Sequence, residues 1–553
     1  FKQKTAYEIR LSLVGSEMCI RDRVLLGLGL IFWKDLLFWL LVQTAAPKDN
    51  VGPNQEIVWQ QGPDTRSDDR PNIIVIVADD LGINDMTDYD DLDPSGTMDT
   101  PNIDFIANSG IKFKNAYSGS ATCAPSRGMI VTGRYATSTG YEFTPVPDGM
   151  ARAINLFNPE ETRYMAESVE SNPLFDNQGL PAEEITFAET LKDAGYYTAH
   201  IGKWHLGRGP VFAPLSQGFD ESLMMASGLF LPEDDPNVVN AYLPWDPIDK
   251  FLWAILDYAA SFNESSERDN WFEPKGYLTD YYTDEALKVI EANKNRPFFL
   301  YLAHWGVHTP LQALKSDYDK LTHIDNHIER VYAAMIMSLD RSVGRIVESL
   351  EANGLSENTW IIFTSDNGGA NYIGLRYINS PYRGWKLTLF EGGIKVPLIF
   401  WKDGIASQEV AQRAMHIDIM PTIHGLINEE LTHSVDGIDL FADEYDLNQR
   451  PIFWKTGHNK VVIKDNWKLQ VEEYSQKQWL FNLADDPTEQ LELSDQYPEK
   501  VYELMALINQ HSEGAKNFIY KPPLLANVDV DRNLKEAAEE GHSEDEESVW
   551  VTN

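Results

Sequence analysis

The stretch NIIVIVA at residues 72–78, followed at once by Asp79 and Asp80, decides the fold class. A continuous apolar run without polar alternation is typical of a strand that is buried on both faces of a parallel sheet. Such a sheet needs helices on both of its faces to cover it. The stretch therefore predicts an α/β fold in which two carboxyl groups follow a central strand.

Further apolar runs of the same kind recur along the chain, and helical patterns lie between them. The longest helical pattern is amphipathic, covers residues 328–353 and ends before Gly354. Strands that alternate with helices indicate a mainly parallel sheet sandwiched by helices, which we assign to residues 70–425. The other apolar runs cover residues 196–201, 297–303, 360–364 and 396–401, and shorter helical patterns cover 103–109 and 182–194.

Polar residues follow most of these apolar runs. Because the carboxyl ends of parallel strands meet at one edge of an open α/β sheet, and ligand sites form at that edge, we expect these residues to lie close together. The convergence of four separate segments indicates a site more strongly than any one motif does. The residues are Asp79, Asp80, Lys203, His205, His308, Asp366 and Asn367.

The pattern changes in the last quarter of the chain. Short apolar segments at 461–469 and 479–483 are typical of antiparallel strands, and a helical pattern follows at 497–508. They predict a smaller C-terminal α+β subdomain with an antiparallel sheet at residues 426–525. The remaining residues, 526–553, are rich in Asp and Glu, and this composition predicts a disordered acidic tail.

The N-terminal residues bear on export and not on the fold. Residues 1–23 resemble the in-frame translation of a sequencing-library adapter, an artefact that we exclude from fold reasoning. Residues 24–47 form an apolar run that Lys34 and Asp35 interrupt, and it ends in small residues. This run predicts a signal peptide, with a signal anchor as the alternative. We therefore expect an exported protein, periplasmic or secreted, without a stable membrane partner after cleavage, but membrane-anchored if the segment is retained.

The charge balance excludes some classes of partner. Lys and Arg number 46 and Asp and Glu number 85, so the formal net charge is −39. A surface of this charge repels nucleic acid and anionic membranes, and neither is expected as a partner. An anionic substrate would require a local basic pocket. Cys19 lies in the excluded segment, so Cys123 is a lone cysteine and cannot form an intrachain disulfide.

The sharpest motif surrounds Cys123. Residues 123–127 read CAPSR, and Thr-Gly-Arg follows at 132–134. Proline is favoured in the first turn of a helix, so a helix is predicted to begin here, with its backbone N–H groups directed at an anion. A buried, inert thiol is the alternative role for a lone cysteine. The acidic and amide side chains after the strands offer hard oxygen ligands, which suit Ca²⁺ or Mg²⁺.

These motifs resemble those of the sulfatase family, and of arylsulfatases in particular, which are formylglycine-dependent hydrolases of the alkaline phosphatase-like superfamily. The resemblance covers roughly residues 70–510. Six motifs match in order, and together they are far more specific than any one alone. Besides CAPSR, they are Asp79-Asp80, GKWHLG at 202–207, HTP at 308–310, SDNGG at 365–369 and KLTLFEGGIKVP at 386–397.

The resemblance implies an enzyme that hydrolyses an aryl or carbohydrate sulfate monoester to an alcohol and inorganic sulfate. A formylglycine-generating enzyme would oxidise Cys123 to formylglycine (3-oxoalanine), and the hydrated aldehyde would attack sulfur. Its second hydroxyl would then allow the sulfate to leave, so that water need not attack sulfur. The family pattern assigns catalysis to Cys123, Arg127, Lys203, His205, His308 and Lys386, and the binding of Ca²⁺, or alternatively Mg²⁺, to Asp79, Asp80, Cys123, Asp366 and Asn367.

Two histidines four residues apart compete for the role of general acid, which is worth about 10² to 10⁴ in rate. His308 is favoured because the family places its histidine just before x-Pro, and His304 is then expected to support the fold or the pocket. The other implied roles are those of His205 as the base for sulfate release, Lys203 and Lys386 as ligands of the sulfate oxygens, and Arg127 as the residue that steadies the nucleophile and the metal ligands.

The sequence leaves the substrate and two other functions open. Tyr382 and Trp385 replace residues that are common in relatives, and residues 135–140 lack a histidine that is common after the Thr-Gly-Arg. The first alternative function is a formylglycine-dependent phosphomonoester or phosphodiester hydrolase of the same superfamily. The second is an exported glycan-binding protein with a degenerate site, and the complete set of catalytic residues argues against it.

Two long segments, at 141–180 and 221–275, show no periodicity. The second contains Trp245, Trp253 and Trp271 among acidic residues and prolines. Aromatic loops beside a strand-end site either line a substrate pocket or pack on the core, and the sequence leaves both interpretations open.

Overall fold

The computed structural model describes most of the chain after residue 50. The predicted adapter segment 1–23 lies outside the described residues, and so does most of the predicted signal segment 24–47. Within the part of the chain that is described, no helix is both long enough and apolar enough to cross a membrane. The described ranges are 33–34 and 36–42, which are helical, and 51–87, 89, 92, 97–263, 270–375, 377–442, 449–540 and 549–552.

The strands of the described chain form one large sheet and several small ones. Numbered in chain order, they are β1 (Asn72–Ala78), β2 (Ile111–Tyr117), β3 (Thr162–Tyr164), β4 (Tyr197–Gly202), β5 (Glu221–Gly228), β6 (Val238–Ala241), β7 (Tyr258–Phe262), β8 (Phe298–Ala303), β9 (Leu311–Leu314), β10 (Thr359–Ser365), β11 (Leu398–Trp401), β12 (Gln408–Met415), β13 (Ile452–Thr456), β14 (Asn459–Lys464), β15 (Trp467–Glu472), β16 (Lys477–Asn482), β17 (Leu524–Asp529) and β18 (Val549–Thr552).

Helices connect most of the strands of the large sheet. The predicted pattern at 328–353 forms one long helix that the side chain of Asn326 caps at its N-terminus. The predicted pattern at 182–194 gives a shorter helix, because Thr186 forms a capping box and the helix begins after it. The α-helices are α1 (Pro101–Ser109), α2 (Cys123–Thr132), α3 (Ala136–Thr139), α4 (Asp148–Phe157), α5 (Ala166–Ser171), α6 (Phe187–Asp193), α7 (Pro247–Ile255), α8 (Leu278–Asn293), α9 (Lys315–Tyr318), α10 (His327–Ala352), α11 (Glu391–Ile394), α12 (Ile419–Ile427), α13 (Pro498–Glu513) and α14 (Leu534–Glu540).

The large sheet is mixed and mostly parallel. Its order is β12-β2-β11-β10-β1-β8-β4-β5-β7, and the strands from β10 to β5 run parallel. Side chains of β1 alternate between two hydrophobic cores, with Ile74 and Ile76 in one and Ile73 and Val75 in the other. Both faces are therefore covered, which confirms the predicted α/β class with a parallel sheet sandwiched by helices.

One strand of this sheet differs from the sequence prediction. The run at 396–401 was expected to form a parallel strand like the others. The structure places it as β11, which is antiparallel to both β10 and β2. The prediction of its direction is wrong because an apolar run indicates burial on both faces and does not encode the direction of the chain.

The register of the central strands brings their carboxyl ends level with one another. Ala78 of β1 pairs with Ser365 of β10, and Gly202 of β4 pairs with Ala303 of β8. Gly202 has a φ of 106°, and a Cβ there would lie 1.9 Å from the carbonyl oxygen of Ala303. Only glycine fits this close approach, so the chain turns toward the edge of the sheet directly after β4.

A second sheet, β13-β14-β15-β16, is fully antiparallel, which confirms the predicted C-terminal α+β element. One face packs against α13 through Val462, Leu480 and Leu504. The other face places Trp454 and Phe481 in the same hydrophobic core as the large sheet. The two sheets therefore share a continuous core.

The prediction of a disordered tail over 526–553 is wrong for the residues that the structure describes. β17 pairs with β3 on one side and with β18 on the other, and Trp550 is fully buried. The acidic composition that suggested disorder belongs to a stretch whose residues 541–548 lie outside the described part. The apolar residues on either side of it, such as Val528 and Trp550, supply enough buried surface to order the strands.

Candidate active site

Carboxylates gather at the carboxyl edge of the large sheet. Asp79 and Asp80 directly follow β1, and Asp366 directly follows the adjacent β10. The backbone N–H of Asp80 donates to Asp366 Oδ1 at 3.3 Å, and Asn367 Nδ2 donates to Asp80 Oδ1 at 2.8 Å. All four side chains are buried. The structure thus brings together the oxygen ligands that were predicted from separate segments.

Cys123 faces these carboxylates from the first residue of α2. Its Sγ atom lies 3.6 Å from Asp79 Oδ1 and 3.8 Å from Asp80 Oδ1. Every residue of α2 is buried, and Ser126 Oγ anchors the helix by accepting from the backbone N–H of Gly119 and bonding to His416 Nδ1 at 3.0 Å. The predicted helix start at Cys123 is confirmed, and it holds the thiol beside the acidic groups.

Arg127 links the helix to two strand ends. Its Nε atom donates to Asp366 Oδ2 at 2.8 Å, and Nη1 donates to the backbone carbonyl of Lys203 at 3.2 Å. Its Nη2 atom lies 3.3 Å from Asp79 Oδ2. Because the guanidinium is fully buried among these groups, it fixes the position of Cys123 relative to the carboxylates.

Two lysines flank the carboxylate pair. Lys203 Nζ lies 2.5 Å from Asp79 Oδ2 and 4.6 Å from the centre of the Trp305 ring. Lys386 Nζ donates to Asp80 Oδ2 at 2.7 Å, and the hydroxyl of Tyr372 donates to the same oxygen at 3.2 Å. The site therefore places, against the acidic charge of the whole chain, cations that an anionic substrate could contact, and the carboxylates that they contact balance them.

His308 is held with one ring nitrogen facing the carboxylates. Its Nδ1–H donates to the carbonyl of Thr309 at 2.6 Å, which leaves Nε2 directed at Asp80 Oδ2, 3.6 Å away. The ring stacks on Trp305 with centroids 4.0 Å apart. Burial, with a further contribution from Lys386, holds the pKa of His308 well below its ordinary value.

The other two histidines of the prediction lie in different surroundings. His205 lines the cavity over the site, has a left-handed φ of 62°, and has a buried Nδ1 atom without a hydrogen-bond partner. Such strain in a residue other than glycine is typical of functional sites. His304 is fully buried, and its Nε2 atom bonds to Ser342 Oγ at 2.9 Å. This contact matches the expectation that His304 supports the fold.

Burial and neighbouring charges shift the pKa values of the acidic groups in different directions. Burial, reinforced by Asp366, raises the pKa of Asp79 to about 7. Burial acts the same way on Asp80, but Lys386 and His308 outweigh it and hold the pKa of Asp80 below its usual range. Burial also raises the pKa of the Cys123 thiol far above its ordinary value, with Asp366 adding to the effect.

The donor set fits a hard divalent cation. One ligand atom from each of Asp79, Asp80, Cys123 and His308 lies within 4.8 Å of the others. Among the described residues, Asn367 Oδ1 is buried and makes no hydrogen bond, and Asp79 Oδ2 is contacted only by the cations Lys203 and Arg127. Amide and carboxylate oxygens that converge in this way are the ligands that Ca²⁺ and Mg²⁺ take. Asp366 borders the group, and its oxygens also accept from Arg127 and the backbone of Asp80.

A cavity of about 430 Å³ opens from the site, and much of its lining was not predicted. The aperiodic segments contribute residues 143–147 and 246–248, and the tail contributes 526–528. Trp305 and Trp385 line the cavity. The three tryptophans singled out from the sequence do not line it and instead pack on the hydrophobic cores; they are Trp245, Trp253 and Trp271.

Sequence reasoning missed several groups of the site. Tyr372 and Asp246 lie in segments without a recognisable motif, and only the fold brings them to the cavity. Trp305 could have been found, because it lies between the two candidate histidines, His304 and His308. The tail residues that line the cavity carry no signal in the sequence, because the acidic composition around β17 is typical of disorder.

Comparison with known proteins agrees with this geometry. The model of the sulfatase family matches residues 71–429. N-acetylgalactosamine-6-sulfatase of Mus musculus is 29% identical over 495 residues, which cover 80% of this chain and 86% of that protein. Steryl-sulfatase of Homo sapiens is 32% identical over 439 residues, which cover 67% and 69%. The crystal structure of Ps i-CgsB in complex with k-i-k-neocarrahexaose superposes with a TM-score of 0.66 and 28% identity over 82% of this chain and 94% of that one.

The sheet, with carboxylates, lysines and histidines at its carboxyl edge, defines a hydrolase of the alkaline phosphatase-like fold. The family match covers more than half of the chain. The chain belongs to the sulfatase family and is an enzyme that hydrolyses sulfate esters.

Proposed function

We propose that this enzyme hydrolyses a sulfate monoester with a formylglycine generated from Cys123 and with a bound Ca²⁺ ion. One observation carries the proposal. The Cys123 side chain lies at the N-terminus of a buried helix, within 4 Å of Asp79 and Asp80. Lys203 and Lys386, to which the family pattern assigns sulfate binding, flank the same two carboxylates.

The surroundings of Cys123 are compatible with modification. Burial raises the pKa of the thiol, so in the protein without its cation the thiolate is disfavoured as a nucleophile. Formylglycine, made by a formylglycine-generating enzyme as the maturation partner, would supply a hydroxyl nucleophile and a second hydroxyl for sulfate release. Arg127, bonded to Asp366 and to the backbone of Lys203, fixes the position of this side chain.

The cation and the two lysines would together stabilise the negative charge of the substrate's sulfate group. Asp79, Asp80, Asp366 and Asn367, together with the side chain at 123, would hold Ca²⁺, or alternatively Mg²⁺, which would stabilise negative charge on the sulfuryl oxygens. Lys203 and Lys386 bind the same oxygens, and the backbone N–H groups of the first turn of α2 add to the field.

Two histidines handle the protons. His308 directs Nε2 into the cavity beside Asp80, and the ring would act as the general acid in its doubly protonated form, in which Nε2–H protonates the leaving oxygen of the alcohol while Nδ1–H stays bonded to Thr309. His205 lines the cavity with an unpaired Nδ1, and it takes the proton whose removal releases sulfate.

The names of the relatives indicate a range of substrates. N-acetylgalactosamine-6-sulfatase and the complex with k-i-k-neocarrahexaose point to carbohydrate sulfates, and steryl-sulfatase points to an apolar alcohol. From these names alone, we propose a sulfated small molecule or glycan as the substrate. We also propose that the enzyme acts outside the cytoplasm, periplasmic or secreted, on the strength of the apolar segment 24–47.

The experiment that tests the proposal measures the chemical state of residue 123 and the rate of sulfate ester hydrolysis. The protein is produced with a formylglycine-generating enzyme, and the tryptic peptide 115–127 is analysed by mass spectrometry. The same preparation is assayed on 4-nitrophenyl sulfate and 4-nitrophenyl phosphate, with added Ca²⁺ and after chelation. We expect an aldehyde at position 123, preference for the sulfate, and loss of activity on chelation.

The matched control is Cys123→Ala, which should lose at least about 10⁴ in rate because the nucleophile is absent. Preference for the phosphate would favour the phosphohydrolase alternative. Full activity with an unmodified thiol at 123 would overturn the formylglycine assignment. Binding of sulfated glycan without turnover by converted protein would favour the glycan-binding alternative.

A further inference from the structure

The cavity that begins at the nucleophile is apolar away from the sulfate end. Its inner end is lined by Cys123, Lys203 and Lys386. Farther along, Met150 and Ile154 of α4 contribute to the lining. Its volume, about 430 Å³, lies in the range of pockets that enclose most of a drug-sized ligand.

Two further segments complete this apolar lining. Leu252 and Ile255 come from α7, which packs against α4. Leu524 and Val528 come from β17, whose residues from 526 onward fall in the tail that is predicted to be disordered. The pairing of β17 with β3 therefore has a consequence for the site, because it places hydrocarbon on one side of the cavity.

Two of the charged groups of this outer part are engaged within the protein. Arg208 Nη2 donates to the carbonyl of Ala226 at 3.2 Å, and its guanidinium lies 5.8 Å from the centre of the Trp271 ring. Asp246 caps α7 by accepting from the N–H of Ile248. A sugar placed against the apolar residues would lose water from its hydroxyls, which is costly wherever a neutral polar group of the lining, such as Thr144, does not replace the hydrogen bond.

The net negative charge of the chain also disfavours a highly sulfated substrate. Beyond the lysines at the inner end, the charged residues of the described cavity lining are Glu161, Arg208 and Asp246, which gives no excess of positive charge. A polymer with many sulfates would bring its other charges against a chain of net charge −39. A monosulfate brings a single charged group, which Lys203 and Lys386 receive.

We propose that the alcohol part of the substrate is a hydrocarbon, an alkyl chain or fused ring system, which this apolar cavity encloses while the sulfate lies at Cys123. The proposal rests on the proposed sulfatase function and names the substrate class of the same site. The substrate is then a sulfated amphiphile and not a sulfated polysaccharide.

A series of alkyl sulfates tests the proposal without any substitution. The converted enzyme is assayed on n-alkyl sulfates from ethyl to decyl below their micelle concentrations, and on N-acetylgalactosamine 6-sulfate. We expect kcat/KM to rise about threefold to fourfold per added methylene until the cavity is filled, because each buried methylene contributes a fixed transfer free energy. A flat series, or a sugar sulfate preferred over hexyl sulfate by more than about tenfold, would overturn the proposal.

Variants locate the effect in the cavity. Leu252→Asn and Met150→Asn replace half-buried lining residues, and Leu507→Asn replaces a half-buried leucine of α13 outside the cavity. The two lining variants should lower the ratio of decyl to ethyl kcat/KM by about tenfold or more and leave the ethyl value within about threefold. The α13 variant should leave the ratio unchanged, and an unchanged ratio in both lining variants would contradict the proposal.

The failure of this inference is distinguishable from failure of the sulfatase assignment. If 4-nitrophenyl sulfate is hydrolysed but chain length has no effect, the assignment stands and the hydrocarbon cavity is wrong. If a protein with a verified aldehyde at position 123 hydrolyses no sulfate ester at all, the assignment itself is wrong and this inference falls with it.

Discussion

Two buried clusters of opposite charges lie in this molecule, and they differ in how completely their atoms are paired. The first, which we call the catalytic cluster after the function proposed for it, consists of Asp79, Asp80, Arg127, Lys203 and Lys386 at the edge of the large sheet. The linking cluster consists of Glu391, Lys468 and Glu489, where the antiparallel sheet meets the short helix α11. Every carboxylate and cation in both clusters is buried, so burial alone does not distinguish them.

In the linking cluster every carboxylate oxygen has a partner. Lys468 Nζ lies 3.0 Å from Glu391 Oε1 and 2.8 Å from Glu489 Oε1. Tyr117 donates its hydroxyl to Glu391 Oε2 at 3.0 Å, and the N–H of Glu391 donates to Glu489 Oε2 at 2.6 Å. Gln470 Nε2 donates to Glu489 Oε1. A cluster of this kind is complete within the protein.

The catalytic cluster is paired in a different way. Lys203 Nζ and Arg127 Nη2 lie 2.5 and 3.3 Å from Asp79 Oδ2, but neither contact has hydrogen-bond geometry. The adjacent Asn367 Oδ1 is buried without any hydrogen-bond partner among the described residues, and such an atom is rare in a folded protein unless a ligand or ion completes it. The linking cluster is therefore saturated by hydrogen bonds within the protein, whereas the catalytic cluster has an oxygen atom that a bound ion could use.

Substitution in or beside the catalytic cluster should change rate, and His308→Asn gives the largest expected effect. Without the proton donor at Nε2, kcat/KM on an alkyl sulfate should fall by about 10² to 10⁴. The fall should be much smaller on 4-nitrophenyl sulfate, because nitrophenolate leaves readily without protonation. Steady-state kinetics on both substrates measure the difference.

The matched control is His304→Asn, which makes the same change four residues away in the chain. His304 bonds Ser342 within the fold, so its loss should affect both substrates alike. Equal losses on the two substrates for His308→Asn would show that His308 is not the general acid.

Substitution in the linking cluster should change stability, as Lys468→Met tests. It leaves Glu391 and Glu489 buried without a cation, and breaking a buried ion pair in this way costs about 3–5 kcal/mol of unfolding free energy. The kcat/KM of the folded variant should stay within a few-fold of wild type. Equilibrium denaturation and kinetics on the same preparation measure both quantities.

Lys464→Met is the matched control on the neighbouring strand. Lys464 pairs with Glu503 at 3.3 Å with both side chains partly exposed, so its loss should cost less than about 1 kcal/mol. A loss of activity in Lys468→Met as large as that in His308→Asn would remove the distinction between the two clusters.

The sequence predicts the catalytic cluster well because the geometry of the sheet converts chain position into spatial position. Asp79, Lys203 and Asp366 each follow an apolar run, and parallel strands in register bring such positions to one edge. The order of the strands need not be known for this inference. Local patterns are therefore enough to find the residues, although not their distances or pairings.

The linking cluster and the apolar cavity have no comparable local signal. Lys468 lies in an antiparallel strand with the pattern of a solvent-facing lysine, and Glu391 and Glu489 lie far from it in the chain. The cavity draws Met150, Leu252 and the tail strand from segments without periodicity. Such contacts arise from tertiary packing, which propensity and patterning along the chain do not encode.

The smallest expected effect concerns the charge state of the linking cluster. Burial, reinforced by Glu391 and opposed by Lys468, raises the pKa of Glu489 from 4.5 to about 7. Between these values the native state holds a proton that the unfolded chain has released, so the unfolding free energy falls as the pH rises through this window. Glu489→Gln cannot titrate, and wild type should therefore lose at least about 1 kcal/mol relative to this variant between pH 5 and pH 8. Denaturation of both proteins at the two pH values measures the loss. If the difference in unfolding free energy between wild type and Glu489→Gln did not change with pH, both Glu391 and Glu489 would have to stay ionised around Lys468. The linking cluster would then carry the same net negative charge in the native and unfolded states.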